Sequence, residues 1–128
     1  MRRGFLIFVF SVVAFFWGWN RGITEGGIGR FIETHPTFYR GDTVLYVLGS
    51  FHEVINQDQK ALGMYQRVMA LYPDSRWGDA AQFGIGSSHE RLHDRKNALK
   101  EFEIYLKKYP RGRFQKSVSN NLSLLKGL

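Results

Sequence analysis

The chain has 128 residues, which is the length of one domain or of one small domain with an accessory segment and excludes two full domains. Hydrophobic residues make up 44% of it, too many for a disordered chain. The absence of cysteine excludes a disulfide framework, a thiolate zinc site and a lipidated cysteine. Lysine and arginine exceed aspartate and glutamate by 18 to 11, and this net charge of +7 is compatible with an anionic partner: a membrane surface, a nucleic acid or an acidic protein.

The N-terminal twenty residues differ from the rest of the chain. Residues 4–20 contain no charged side chain, and as a helix they span about 25 Å, close to the roughly 30 Å hydrocarbon core of a bilayer. Basic residues precede this segment, and two tryptophans at its end favour the membrane–water boundary. The residues expected at the membrane interfaces are Arg2, Arg3, Trp17 and Trp19. The pattern predicts that residues 1–21 are an uncleaved N-terminal membrane anchor that forms a transmembrane helix.

Three alternatives to such an anchor remain open. The first is a cleaved signal peptide, although residues 17–21 offer no small residues at alternate positions for cleavage. The second is a helix buried in a larger complex. The third follows from Arg2 and Arg3, which also resemble the core of a twin-arginine export signal. An arginine pair that holds the N-terminus in the cytoplasm is the simpler interpretation.

The rest of the chain repeats with a period of 37 residues. Three prolines are separated by this interval, and the same offset relates glycines, alanines, histidines and aromatic residues. The matched positions are Leu48 and Ile85, Gly49 and Gly86, His52 and His89, Ala61 and Ala98, Tyr65 and Phe102, and Pro73 and Pro110. So many coincidences at a single offset indicate an internal repeat.

Each repeat unit is predicted to contain two helices. Residues 38–57 carry apolar side chains at the 3.6-residue spacing of a helix. Asp58 is predicted to cap a second helix, which stops before Pro73 because proline cannot donate to the preceding turn. The glycine and alanine positions mark the closest approach of helix backbones. Tyr65 and Phe102 are expected to fill the space between the helices.

This pattern resembles the tetratricopeptide repeat over residues 38–126. The residues that carry the resemblance are Leu48, Gly49, Ala61, Tyr65 and Pro73 in one unit and Ile85, Gly86, Ala98, Phe102 and Pro110 in the next. The turns at 72–76 and 109–113 are similar to the longer inter-repeat turns of family members in the bacterial envelope. The chain as a whole resembles membrane-anchored periplasmic members of the family. The resemblance implies an all-α solenoid. Its expected parts are a linker or degenerate half-repeat at 22–37, a repeat domain at 38–128 with repeats at 38–74 and 75–111, and a capping helix at 112–126.

The anchor and the resemblance together predict a location. Positive groups are equal in number on the two sides of residues 4–20, so the immediately adjacent Arg2 and Arg3 favour a cytoplasmic N-terminus. We therefore expect a single-pass protein of the inner (cytoplasmic) membrane with its repeats in the periplasm. The alternative is a cytoplasmic repeat array on an anchor of opposite orientation.

One motif suggests catalysis. His89, Glu90 and His93 read H-E-x-x-H, which on a helix places two imidazoles on one face for zinc, with the glutamate as general base. His52 and Glu53 hold the equivalent positions of the first unit, so the repeat explains His89 and Glu90. His93 is predicted to end its helix, and no third ligand stands at an established spacing. The sequence predicts no enzyme, no catalytic residue, no cofactor and no metal site.

The resemblance implies a binding surface on the first helices of the units, which line the concave face of this fold. The candidate partner-binding residues are Thr43, Tyr46, Ser50, Glu53, Phe83, Ser87, Glu90, Arg91 and Asn120. Tyr46 and Phe83 are expected to lie one above the other as an aromatic pair with a charged rim, which suits an extended segment or a helix of a protein partner. Family members that clamp a C-terminal carboxylate place Lys and Asn where this chain has Tyr46 and Ser50, so that mode is not expected.

The predicted function is that of a membrane-anchored scaffold that binds a protein partner. The alternative is an accessory structural subunit of a large membrane protein complex. Nucleic acid and small-molecule substrates are not expected partners, because the aromatic residues stand at core spacings rather than among basic ones. The C-terminal part has a basic cluster of Lys107, Lys108, Arg111, Arg113 and Lys116. This cluster is expected to be a solvated face, with anionic lipid or an acidic partner as alternatives.

Overall fold

The computed structural model describes residues 10–19 and 27–127, and the regular secondary structure in these two ranges is α-helical. Residues 10–19 are helical and are called α1. The helices that follow are α2 (Gly27–Thr34), α3 (Gly41–Val54), α4 (Asp58–Leu71), α5 (Gly78–Arg91), α6 (Arg95–Lys108) and α7 (Gln115–Lys126). From α3 to α7 each helix packs against the next one along the chain. The prediction of an all-α solenoid is confirmed.

The helix bounds follow the 37-residue period of the sequence. The first helices α3, α5 and α7 begin at Gly41, Gly78 and Gln115. The second helices α4 and α6 begin at Asp58 and Arg95, and α3 to α6 are each 14 residues long. We call α3 with α4 the first unit and α5 with α6 the second unit. The two units therefore have the same arrangement of helices.

Glycines bring the helices together around buried rings. The ring of Tyr65, which is 2% exposed, lies between Gly49 of α3 and Gly84 of α5. A Cβ atom on Gly49 would lie 2.6 Å from this ring, and one on Gly84 would lie 2.5 Å from it. Phe102 is fully buried against Gly86 in the same way, at 2.5 Å. Any side chain at these glycines would push the helices apart.

The half-repeat α2 packs on α3 and α4. Ile32 is fully buried in the core, and Ile28 packs against the same core. The repeat alignment places Phe31 at the core position of Val68, but Phe31 is 50% exposed, and its ring stacks on His35 at 4.6 Å. Ile32 fills the core here in place of Phe31.

Asp58 is the first residue of α4 rather than its cap, which corrects the sequence prediction. The N-cap residue is Gln57, whose side chain makes no capping bond. The Asp58 carboxylate instead accepts a hydrogen bond from Arg91 Nε at 2.5 Å. In the second unit the cap is Asp94, which accepts from the backbone N–H of Asn97 at 3.2 Å. The capping position lies one residue earlier than predicted.

The predicted membrane anchor is not supported. No helix within the ranges 10–19 and 27–127 combines the length and the apolar character needed to cross a bilayer. Residues 10–19 of the predicted anchor are helical. Trp19 lies in this helix, as does Trp17, whereas Arg2 and Arg3 lie outside the described residues. The prediction of a single-pass inner-membrane protein with a periplasmic repeat domain is therefore wrong.

Candidate partner-binding face

Two pairs of stacked rings lie where the first helix of one unit meets the turn that enters the next. Tyr46 of α3 stacks on Trp77, the residue before α5, with ring centroids 4.4 Å apart and planes at 10°. Phe83 of α5 stacks on Phe114, the residue before α7, at 4.5 Å and 1°. Such pairs contribute about 0.5–1.5 kcal/mol beyond the area they bury. Each pair attaches the incoming turn to the preceding first helix.

Each pair continues into the core through a third ring. Tyr46 contacts Tyr65 at 5.8 Å, and Phe83 contacts Phe102 at 6.2 Å between centroids. The three rings of each unit occupy matching positions at the 37-residue offset. Tyr46 and Phe83, which the sequence predicts to lie one above the other, each stack on an aromatic residue of the next turn.

Arginine side chains connect the two pairs. The Arg113 guanidinium lies 5.9 Å from the Trp77 ring and also 5.9 Å from the Phe114 ring. Arg76 lies over Trp77 at 4.8 Å, a distance at which a cation is attracted to an aromatic face. Four rings, all partly exposed, thus form a continuous surface that we call the aromatic strip: Tyr46, Trp77, Phe83 and Phe114.

Hydrogen bonds fix the orientation of Trp77. Its indole Nε1–H donates to Thr43 Oγ1 at 3.0 Å. The Thr43 hydroxyl donates in turn to Asp42 at 3.2 Å. The predicted binding residue Thr43 therefore positions a ring of the aromatic strip.

The second residue of α3 and of α5 is an aspartate, and each holds the turn that follows its unit. Asp42 accepts from the Ser75 hydroxyl at 2.7 Å. Burial alone would raise the pKa of Asp42, but the bonds from Ser75 and Thr43 outweigh it and lower that pKa. Asp79 accepts from the Arg113 guanidinium at 2.6 Å, and this bond holds the pKa of the Asp79 carboxyl below its usual value. These contacts set how one unit joins the next.

The predicted charged rim is present but is largely neutralised within the molecule. Arg91 of α5 forms ion pairs with Glu53 at 3.0 Å and with Asp58 at 2.5 Å. The Tyr65 hydroxyl donates to the other Glu53 oxygen at 2.7 Å, and burial raises the pKa of this hydroxyl, so it remains a donor. Glu90 accepts from Asn121 at 3.3 Å. Glu53 and Arg91 thus join the two units.

The remaining predicted binding residues differ in exposure. Ser50 is partly exposed, and its hydroxyl donates to the Tyr46 carbonyl at 3.1 Å. Ser87 is 8% exposed, which leaves little of it for a partner. Asn120 is exposed on α7, at the repeat position that Tyr46 and Phe83 hold on α3 and α5. The surface open to a partner therefore runs from the aromatic strip towards α7.

Four residues of this face were not among the predicted binding residues. They are Arg76, Trp77, Arg113 and Phe114, and all of them belong to turns rather than to the helices in which binding residues were expected. Their signal is present in the sequence, because the Arg-Trp and Arg-Phe dipeptides are themselves 37 residues apart. A search of the turns at the repeat offset finds them.

The H-E-x-x-H segment does not place its histidines on one helix face. Helix α5 ends at Arg91, and His93 has a φ of 60°, in the left-handed region. His89 Nδ1 lies 3.3 Å from the Asp94 carboxylate, and His52 is fully buried with Nδ1 3.1 Å from Gln57 Oε1. Across the described ranges, no group of three or more His, Asp or Glu side chains is arranged to hold a metal ion.

Comparison with known proteins places the chain in a family. The family model described as "Tetratricopeptide repeat" matches residues 43–75 and 80–112, just over half of the chain. No curated protein matches the chain significantly. This repeat is a protein-interaction repeat without enzymatic activity, which is consistent with the prediction that the chain is not an enzyme. The chain belongs to the tetratricopeptide repeat family.

Proposed function

We propose that this protein is a scaffold that binds a protein partner through the aromatic strip on the face of its first helices. Tetratricopeptide repeats generally mediate protein–protein interaction. The observation that supports this particular surface is the pair of ring stacks, Tyr46 with Trp77 and Phe83 with Phe114. Partly exposed aromatic side chains supply much of the binding energy at protein interfaces.

The strip is already ordered before a partner arrives. Trp77 is held by the Tyr46 stack and by its bond to Thr43, and Phe114 is held by the Phe83 stack. A surface whose rings are fixed loses little conformational entropy on binding. Because the strip extends over two units, it suits a helix or an extended segment rather than a small molecule. In this proposal residues 38–128 form the interaction domain.

A second candidate function is that of an accessory subunit within a larger protein assembly. It is favoured by α1, whose side chains include Phe10 at 74%, Phe15 at 65% and Phe16 at 64% exposure. A helix with large apolar residues on several sides is usually buried rather than left in water, and other subunits of an assembly can bury it. Purification in fixed stoichiometry with several other chains would favour this candidate over a single-partner scaffold.

Affinity capture from extracts of the source cells tests the proposed surface. Three forms are compared: the unaltered protein, the double variant Trp77→Ala and Phe114→Ala, and a control with Gln66→Ala and Lys100→Ala on the exposed sides of α4 and α6. We expect the unaltered protein and the control to capture the same chains, and the strip variant to capture them about tenfold less. Thermal unfolding checks that all three are folded. Equal capture by the three folded forms would contradict the proposal.

A further inference from the structure

The net positive charge of the protein lies in its C-terminal part. Residues 1–94 contain nine lysines and arginines and nine aspartates and glutamates, whereas residues 95–128 contain nine and two. Both acidic residues of the second range are already engaged. Glu103 pairs with Lys126 at 2.8 Å, and Glu101 accepts from Gln82 Nε2, also at 2.8 Å. The excess charge of the chain therefore lies on α6, α7 and the turn between them.

Several cations of this part lie close together in sequence at the end of α6 and the start of α7. Lys107, Lys108, Arg111 and Lys116 are all exposed. Within the described part of the chain, none of the four lies within ion-pair distance of a carboxylate. Arg113, the fifth cation of the basic cluster, is engaged by Asp79 at 2.6 Å. The surface thus carries a concentrated positive charge that the fold itself does not neutralise.

A shallow cleft of about 430 Å³ lies beside these cations. Its lining residues are Ser75, Arg76, Asp79, Tyr109, Pro110, Arg111 and Gly112. Arg76 and Arg111 come from successive inter-repeat turns, and in the described ranges neither is ion-paired. Asp79, the acidic residue of the lining, is occupied by Arg113. The cleft therefore has two arginines in its lining that pair with no carboxylate of the described residues.

The cleft is continuous with the aromatic strip. Arg76 lines the cleft and also lies 4.8 Å over the ring of Trp77. Tyr46 stacks on that ring as well, at 4.4 Å. With these two neighbours, the indole is not open for the base stacking that single-stranded nucleic acid needs. A polypeptide bound to the aromatic strip at Trp77 can therefore extend directly into the cleft.

We propose that the cleft binds an acidic segment of the protein partner, with carboxylates that pair with Arg76 and Arg111 while the net positive charge of the C-terminal part attracts the segment. Guanidinium groups present paired N–H donors that match the two oxygens of a carboxylate. The inference rests on the proposed function. It assumes that one segment of the partner lies on the aromatic strip, and it assigns an acidic character to the adjacent segment of the partner. It concerns a different set of side chains from the strip.

The direct test uses the full chain and a fluorescent oligo-glutamate peptide, with binding followed by anisotropy. We expect binding that weakens as salt is raised, because exposed charges are screened over about 10 Å at 0.1 M salt. The variant with Arg76→Glu and Arg111→Glu is expected to lose at least about tenfold in affinity. A control with Lys60→Glu and Lys100→Glu has the same net charge, and both of its positions are exposed. It is expected to lose about threefold or less. Equal losses in the two variants, or no binding by the unaltered chain, would overturn the inference.

Two further arms separate the ligand class and the underlying proposal. Phosphatidylserine vesicles and a single-stranded DNA oligonucleotide are titrated in parallel with the peptide. Tighter binding of either one, lost in the Arg76→Glu and Arg111→Glu variant, would overturn the assignment to a polypeptide. The variant Phe83→Ala removes a strip ring without altering the cleft lining, and we expect it to keep its affinity for oligo-glutamate. If the affinity-capture test fails but oligo-glutamate binding is normal, the proposal that the aromatic strip binds a partner is rejected, whereas the proposal that the cleft binds acidic segments is retained.

Discussion

The two units share their helix bounds at the 37-residue offset, yet they differ where each joins its neighbour. At the end of the first unit, Asp42 accepts from the neutral hydroxyl of Ser75, and the Trp77 indole is both stacked and hydrogen-bonded. At the end of the second, Asp79 accepts from the charged guanidinium of Arg113. The repeat thus dictates the helices, whereas a few turn side chains determine how successive units are joined.

The outward surfaces of the two first helices differ as well. Gly84 of α5 lies directly against the ring of Tyr65 from the first unit. The matching position on α3 is Val47, which is 56% exposed. The same repeat position is thus an inter-unit contact in α5 and a largely open surface in α3. Substitutions at this repeat position therefore test whether the two first helices differ in this way.

The largest effect is expected from Gly84→Val. The new side chain would meet the Tyr65 ring, and that ring cannot retreat because Gly49 bounds its other side. Overpacking of this kind should lower the free energy of unfolding by about 3 kcal/mol. Urea denaturation of the purified protein measures it.

Two controls accompany this variant. Val47→Ala, at the same position of the first unit, should change the free energy of unfolding by less than about 0.5 kcal/mol because the side chain is mostly exposed. Gly63→Ala adds a methyl group with only the end of Arg67 nearby, at 3.5 Å, and should stabilise α4 by about 0.5–1 kcal/mol. Similar stability of the Gly84→Val and Val47→Ala variants would show that α4 and α5 do not pack as described.

The next effect compares the two aspartates. Asp79→Ala removes charge-assisted bonds from Arg113 and should cost about 1–2 kcal/mol, since the half-exposed Arg113 side chain is partly screened by water. Asp42→Ala removes bonds from neutral hydroxyls and should cost about 1 kcal/mol. Added salt should reduce the difference between the two variants. A larger cost for Asp42→Ala would contradict the stronger joint at the second unit.

The contacts of Asp42 and Asp79 should also make the stability of the protein depend on pH in the acid range. Both carboxyls have a lowered pKa in the folded protein, so the stabilisation they provide is complete above the unfolded value of about 3.9. It is lost as the pH falls below that value and through the lowered pKa of the folded state. The unfolding free energy of the Asp79→Ala variant should accordingly depend less on pH in this range than that of the unaltered protein.

The smallest effect sharpens the comparison at the start of the second helices. Asp94 caps α6 and also contacts His89, whereas Gln57 contacts His52 without capping α4. Gln57→Asp should give α4 the cap that α6 has and raise the free energy of unfolding by about 0.5–1 kcal/mol. Differential scanning calorimetry measures the change. A fall in the melting temperature would mean that Gln57 does more for His52 than an aspartate can.

Much of the fold could be read from the sequence because the repeat restates each element. The offset that joins Gly49 to Gly86 and Tyr65 to Phe102 also gives the helix bounds. The N-terminal segment could not be read this way, because an apolar composition specifies neither the length of a helix nor what surrounds it. Asp58 was misplaced for a related reason: whether an aspartate caps a helix or opens it depends on a difference of one residue, which spacing alone does not resolve.

The candidate site was predicted less well. Tyr46 and Phe83 were correctly placed on first helices, but their ring partners Trp77 and Phe114 belong to turns. Turn residues have no helical periodicity, and the stacks form only when two units are joined in space. The charges of the predicted rim posed the same difficulty, because the ion pairs of Arg91 connect separate helices.

The central claim is that a protein partner lies on the face of the first helices. Site-specific photocrosslinking tests it most directly, with a photoreactive phenylalanine in place of Asn120 on α7 or, as a matched control, in place of the exposed Lys100 on α6. We predict a crosslinked partner from position 120 and none from position 100, and loss of the product when Trp77→Ala and Phe114→Ala are added. A crosslinked partner from position 100 alone, or a product from position 120 that survives the loss of both rings, would contradict this claim.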